Sequence, residues 1–375
     1  MFNKNPLSVC RVISFALFLT LFFLNLTACN KDFQFNTSVN PVKKPTQEPL
    51  STSKSQTVPQ VFEQTSSTIG TEIAVQRQSS SSKGTKTNYR YNAGEDPKFA
   101  KDKGWPKKYP TPLTGSIIPN KRIIAYYGNP LSKRMGALGE FEKDDMIKRL
   151  KTEAEKWEQA DPAMPVQTAL HLIAVVAQSE PGKLGKYRTI MPESLINKVY
   201  EWAKESGSIL FIDIQTGHDD IRTVLPEFEW ILKNPDVHLG IDPEFNLIES
   251  KAKPGKKIGN YNDSEINFAS NYLKELVNKY KLPPKILIIH RFTRNGIINA
   301  KKIKLSREVQ VVINMDGWGA PCLKRDSYKD YVVSEPVQFT GFKLFYHNDT
   351  KKGDPLMTPK ELLRLNPKPL YIQYQ

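Results

Sequence analysis

The sequence predicts an α/β fold, a (β/α)8 TIM-like barrel, over residues 105–375. Three observations predict it. Eight short apolar runs rich in β-branched residues recur along this part of the chain, stretches with helical periodicity separate several of them, and the whole spans about 250 residues, the usual size of such a barrel.

The runs are Arg122–Tyr127, Leu170–Ala177, Ile209–Ile214, Val237–Ile241, Ile286–His290, Val309–Met315, Phe342–Tyr346 and Leu370–Tyr374. Several are almost continuously apolar, as parallel strands are when helices cover one face and side chains fill the other. Helical patterns lie at Glu142–Trp157, Pro192–Glu205, Pro226–Lys233, Ser264–Tyr280 and Thr358–Leu365, with Pro192, Pro226 and Pro359 where a helix start tolerates proline. The stretches after the fifth and sixth strands read as irregular. The eighth strand has no helix after it, and Trp105–Asn120 is expected to cover the side left open. An open doubly wound sheet is the alternative, but no Gly-rich phosphate loop follows the first strand. Gly136-Ala137-Leu138-Gly139 lacks the Lys-Ser/Thr of a nucleotide cradle and reads as a turn.

Residues 1–28 have the zones of a secretory signal: Lys4 and Arg11 at the start, an apolar run from Val12 to Leu24, then small residues. The run is short for a membrane-spanning helix. Leu26-Thr27-Ala28-Cys29 matches the bacterial lipobox, so Cys29 is expected to carry a diacylglycerol as the first mature residue and to attach the chain to membrane lipid. Residues 29–104 read as a tether, because Ser, Thr, Gln, Pro, Asn and Lys dominate up to Glu95 and bury too little apolar surface to offset chain entropy. Roughly 65 flexible residues reach about 45 Å. The expected location is the cell envelope, with an outer membrane favoured where there are two, since Asn30 is not the aspartate that retains lipoproteins at an inner membrane.

Mature Cys29 and Cys322 leave no pair for an intramolecular disulfide once Cys29 is lipidated. The 54 Lys and Arg against 39 Asp and Glu give a formal charge of +15. Export and the scatter of these residues argue against a nucleic-acid partner, leaving a solvated surface or weak attraction to anionic head groups and polymers.

Barrels of this type build their active sites at the C-terminal ends of the strands. Here those ends carry Tyr127, Gln178, Asp213, Gln215, Asp242, Glu244, His290, Asn314, Asp316, Trp318, Tyr346, His347, Gln373 and Tyr374. Alternation along a strand puts Asp213 with Gln215, and Asp242 with Glu244, on one face. Carboxyl groups sharing a mouth can be driven to different pKa values, one kept as an acid and the other ionised, as glycoside hydrolysis requires. Glu244, Asp242, Asp213 and Asp316 are therefore the candidate catalytic residues. Tyr127, Gln215, His290, Trp318, Tyr346, His347 and Gln373 are the candidates for binding substrate, the aromatic rings as platforms for sugars. His290 and His347 with the carboxylates also suggest a cation site, but no H-x-x-E-H or H-E-x-x-H spacing supports zinc, so no metal or other cofactor is expected.

Gly240-Ile241-Asp242-Pro243-Glu244 resembles the end of the chitinase-like glycoside hydrolase motif D-x-x-D-x-D-x-E, with Gly240 standing where the middle aspartate belongs. The resemblance implies that Glu244 is the acid and that Asp242 positions a substrate N-acetyl group. The chain is also similar to exported bacterial barrel proteins sharing Tyr127-Gly128-Asn129-Pro130, Gly341–Tyr346 and Tyr371–Gln375. The expected function is a membrane-anchored, carbohydrate-handling barrel that hydrolyses an envelope or extracellular glycan. A non-catalytic glycan-binding lipoprotein and a metal-dependent phosphodiesterase or deacetylase are the alternatives.

Overall fold

The computed structural model describes residues 91–375; the signal segment, Cys29 and the expected tether up to residue 90 lie outside the described residues. Eight parallel strands close into a barrel: β1 (Arg122–Gly128), β2 (Val166–Ala177), β3 (Ile209–Ile214), β4 (Val237–Ile241), β5 (Lys285–Arg291), β6 (Val309–Met315), β7 (Phe339–Leu344) and β8 (Tyr371–Tyr374). Each pairs with the next, and β8 pairs with β1 through Ile123 opposite Tyr371. All eight expected strands are present. A short strand, Arg188–Ile190, adds antiparallel to the end of β2, where the register shifts between Ile173 and Val175.

The main helices are α1 (Pro97–Lys103), α2 (Lys143–Ala160), α3 (Glu193–Ser206), α4 (Asp263–Tyr280), α5 (Pro321–Ser327) and α6 (Pro359–Leu362). Two of them start with reciprocal caps, Asn262 with Glu265 and Thr358 with Glu361, which occupy backbone N–H groups that a helix start leaves unpaired. Outward-facing strand residues such as Ile124, Leu170, Leu210 and Ile289 pack with Leu150, Trp157, Val199 and Leu273 of the helices into one core.

Three of these expectations change. The helix expected at Pro226–Lys233 starts earlier, at Ile221 behind the Asp220 cap, and is broken by a 3-10 turn at Leu225–Phe228 because Pro226 has no N–H to give. The stretch after β6 is helical: α5 continues into a π turn, Tyr328–Val333, whose Tyr328, Val332 and Val333 are buried. The stretch after β5 is irregular, as expected, with 3-10 turns at Arg294–Gly296 and Ala300–Lys302. Order also begins before Trp105. Asp96 caps α1, Glu95 lies 3.6 Å from Arg325, and the Asn366 N–H bonds Gly94, so residues 91–104 belong to the barrel domain.

The segment Trp105–Asn120 does not cover the side beyond β8. It runs under the barrel, where Ile118 is fully buried with Ile123, Ala169, Ile209, Ile286 and Phe339, and its carbonyl accepts the Gln310 amide. Among the described residues, α6 packs directly on α2 beside β8, with Tyr374 stacked on Tyr346 and accepting a 3.0 Å hydrogen bond from Trp157 Nε1.

Ile118→Ala should therefore behave as a core truncation, lowering stability by about 2–5 kcal/mol. Urea unfolding checks this, and a loss within experimental scatter would mean that the segment under the barrel is not part of the core.

Candidate active site

The barrel interior is layered by chemistry. Its lower half is mostly apolar, built from Ile118, Ile123, Phe211, Ile286, Ile288 and Phe339, with His238 and Gln310 buried among them. Further along the strands, two to four residues on, the same inward face becomes polar: Tyr127, Asp213, His290, Asp316, Lys343 and Gln373 are all nearly solvent-free. Asp242 follows directly on β4, and Pro243 opens the 3-10 turn that carries Glu244, half-buried, on the rim.

These side chains form one network. Tyr127 OH lies 3.0 Å from Asp213 Oδ2 and 3.2 Å from Asp242 Oδ2, which also accepts the Gln215 amide at 2.9 Å. Asp316 Oδ2 lies 2.8 Å from His290 Nδ1 and accepts from Lys343 Nζ at 3.0 Å. The Lys343 ammonium also sits 3.9 Å from the centre of the Tyr127 ring. Below, Tyr371 OH lies 2.6 Å from His171 Nδ1 and accepts the Gln373 amide at 2.8 Å. His171 is stacked on Phe211 with ring centres 5.1 Å apart.

Two glycines make room for this. A Cβ at Gly240 would stand 2.3 Å from Asp213 Oδ1 and 2.5 Å from His171 Nε2, and one at Gly341 would stand 2.7 Å from Asn314 Oδ1. The place of the middle aspartate in the chitinase-like motif is thus occupied by side chains from β2 and β3.

Burial and crowding drive the titrating groups apart. Burial, then the charges of Asp242 and Asp316, lifts Glu244 well above the usual carboxylate range. Burial and the Asp213 charge raise Asp242 to about 7. Burial acts the same way on Asp316, but Lys343 and His290 outweigh it and hold that carboxyl well below its ordinary value. Burial lowers His290, yet Asp242, Asp213 and Asp316 more than compensate and bring it to about 8. His171 is pushed well below an ordinary imidazole by burial and by the positive charges of His290 and Lys343.

Of the residues expected from the sequence, Asp213, Gln215, Asp242, His290, Asp316, Tyr127 and Gln373 meet in this network, with Glu244 on its rim. Trp318 is half-buried, two residues past Asp316. Tyr346 and His347 do not belong to it. Tyr346 lies outside the barrel wall, its hydroxyl 3.0 Å from Tyr126 OH, because β7 turns Lys343 inward and its following chain packs against the helix layer. His347 is an exposed residue paired with Glu140 at 2.8 Å. Tyr374 likewise faces α2. His171, Lys343 and Tyr371 were not anticipated, since each lies within a strand. A polar residue on the inward phase of an otherwise apolar run was the available signal.

Gly240→Ala should cost about 1–3 kcal/mol through overpacking. An unchanged urea midpoint would mean that Asp213 and His171 do not fill this space.

No family model matches the chain, and no curated protein matches it in sequence. Among solved structures it is similar to a GH5 xyloglucan-specific endo-beta-1,4-glucanase from a metagenomic library, in complex with cellotriose, at 11% identity over 61% of this chain and 77% of that one, with a TM-score of 0.33. It is also similar to dihydropteroate synthase from Anaplasma phagocytophilum with bound 6-hydroxymethylpterin-monophosphate, at 10% identity over 68% of this chain and 93% of that one, with a TM-score of 0.27. The barrel assignment rests on the closed strand pairing, and neither likeness bears on the chemistry.

Proposed function

We propose that the C-terminal mouth of the barrel is the active site of a hydrolase that cleaves a glycan by general acid–base catalysis, and that Cys29 anchors the protein by lipid to the cell envelope. The observation that carries the catalytic reading is Glu244. It stands half-buried on the rim, its buried Oε2 makes no hydrogen bond, and its surroundings keep it protonated beyond the ordinary carboxylate range. Asp316, in the same mouth, is held ionised by Lys343 and His290. A proton donor and an ionised carboxylate in one mouth are what breaking a glycosidic bond demands.

In this reading Glu244 gives its proton to the departing glycosidic oxygen as the carbon–oxygen bond breaks. Water adds to the sugar carbon, and its proton passes to a carboxylate of the cluster. Asp316 offsets the positive charge that develops on the ring. Asp242, with Oδ2 held by Tyr127 and Gln215 and Oδ1 making no hydrogen bond, is placed to orient a substrate donor group. Trp318, half-buried two residues past Asp316, is the aromatic residue proposed to stack on a sugar.

Turnover of Glu244→Gln on a responsive envelope or chitin-type glycan should fall about 10²–10⁴-fold, with binding retained. Glu244 works as the protonated form, so wild-type kcat/KM should fall as pH rises through its elevated pKa, and this alkaline limb should vanish in the variant. Equal turnover by both proteins would remove Glu244 from the acid role. A wild type that binds glycans without ever cleaving them would leave a glycan-binding lipoprotein.

Anchoring is tested by growth with a fatty-acid analogue. Wild type should incorporate the label and Cys29→Ser should not, because only the thiol accepts the diacylglycerol. Equal labelling would overturn the anchor.

A further inference from the structure

We infer that His171, Asp213 and His290 form a binding site for one divalent transition-metal cation, with zinc the best match, at the base of the mouth. His171 Nε2, Asp213 Oδ1 and His290 Nε2 are fully buried, make no hydrogen bond, and lie within 4.8 Å of one another. Orphaned buried polar atoms are costly, and three converging on one point mark a missing partner.

The spacing identifies the partner. Asp213 Oδ1 is 3.4 Å from His171 Nε2 and 3.7 Å from His290 Nε2. The second is too long for a hydrogen bond and the first is marginal. Both are close to the edge of a tetrahedron with zinc–ligand bonds of about 2.0–2.2 Å, which is roughly 3.3–3.6 Å. Two imidazoles and one carboxylate form a familiar zinc set that leaves a position for water or a substrate oxygen.

Each ligand is also held from behind, as metal ligands usually are. His290 Nδ1 lies 2.8 Å from Asp316 Oδ2, an arrangement in which Nδ1–H donates to the carboxylate while the incoming cation displaces the proton from Nε2. Asp213 Oδ2 accepts from Tyr127 OH, which leaves Oδ1 directed at the histidines. His171 Nδ1 faces Tyr371 OH and Gln373. Gln373 Oε1 has no partner, and rotating that amide lets Oε1 accept from Tyr371 OH, which then accepts the His171 Nδ1 proton and frees Nε2. Gly240 leaves the volume beside His171 Nε2 and Asp213 Oδ1 unfilled by any side chain of its own.

A cation here would supply a Lewis acid that lowers the pKa of bound water, close to the acid at Glu244. The site does not depend on the glycan reading, because occupancy is a property of the resting protein.

The test uses full-length protein stripped with a chelator and titrated with zinc chloride. Calorimetry and elemental analysis after dialysis should give one zinc per chain, and zinc should raise Tm. His171→Gln and Asp213→Asn should weaken zinc binding at least 10²-fold, and Tyr371→Phe about 10-fold or more. His347→Ala, a control for exposed histidine, and Glu244→Gln should retain full stoichiometry. Folding of each variant is checked by circular dichroism, and the wild-type uptake and Tm shift stand without any variant. No tight uptake and no Tm shift in wild type would overturn the site, as would equal uptake by folded His171→Gln and Asp213→Asn. Loss of turnover in Glu244→Gln at full zinc content separates the acid assignment from the metal assignment.

Discussion

The upper barrel depends on the carboxylate of Asp316 being clasped between Lys343 Nζ and His290 Nδ1. A lone buried carboxylate would neutralise or unfold its surroundings, and several crowded together compound the cost. A buried ammonium aimed at Asp316 from the neighbouring strand lets that residue stay ionised and fixes the His290 ring. His290 in turn faces Asp213 and Asp242 at 3.7 Å, so one clasp sets the electrostatics of three acidic residues on three strands. Tyr127 and Gln215 complete the arrangement from the other side by donating to Asp242 and Asp213, without adding charge.

The apolar half beneath makes this arrangement tolerable. Phe211, Ile286, Ile288 and Phe339, with Ile118 brought in by the segment under the barrel, form a mostly apolar floor beneath the acidic groups, in which His238 and Gln310 are the buried polar members. The floor also keeps the dielectric low around the network, so each charge acts strongly on its neighbours. The same strands therefore divide their work by depth, packing below and polar chemistry above.

The strands were legible in the sequence because a parallel barrel strand is buried on both faces and leaves an uninterrupted apolar run. Asp213, Asp242, His290 and Asp316 were legible because strand ends are where a barrel admits polar side chains. Lys343 and His171 were not, since each is a single polar residue inside such a run and its partner comes from a distant part of the chain. Tyr346 and His347 misled for the complementary reason: strand position alone does not say whether the next side chain points into the mouth or over the wall. The helix after β6 was hidden by a π turn that disrupts the helical period in Tyr328–Val333, and the break in the helix after β3 follows from Pro226 acting inside the element instead of at its start. No spacing along the chain reveals three ligand atoms contributed by strands two, three and five.

Gly240 turns a local feature into a rule about change. Even a methyl group there would overlap both Asp213 Oδ1 and His171 Nε2. A larger residue at 240 becomes acceptable only when one of those two side chains shrinks or withdraws, and either retreat dissolves the convergence with His290. Positions 171, 213 and 240 are therefore coupled in space, and a side chain at 240 is accommodated by rearranging the site beside it.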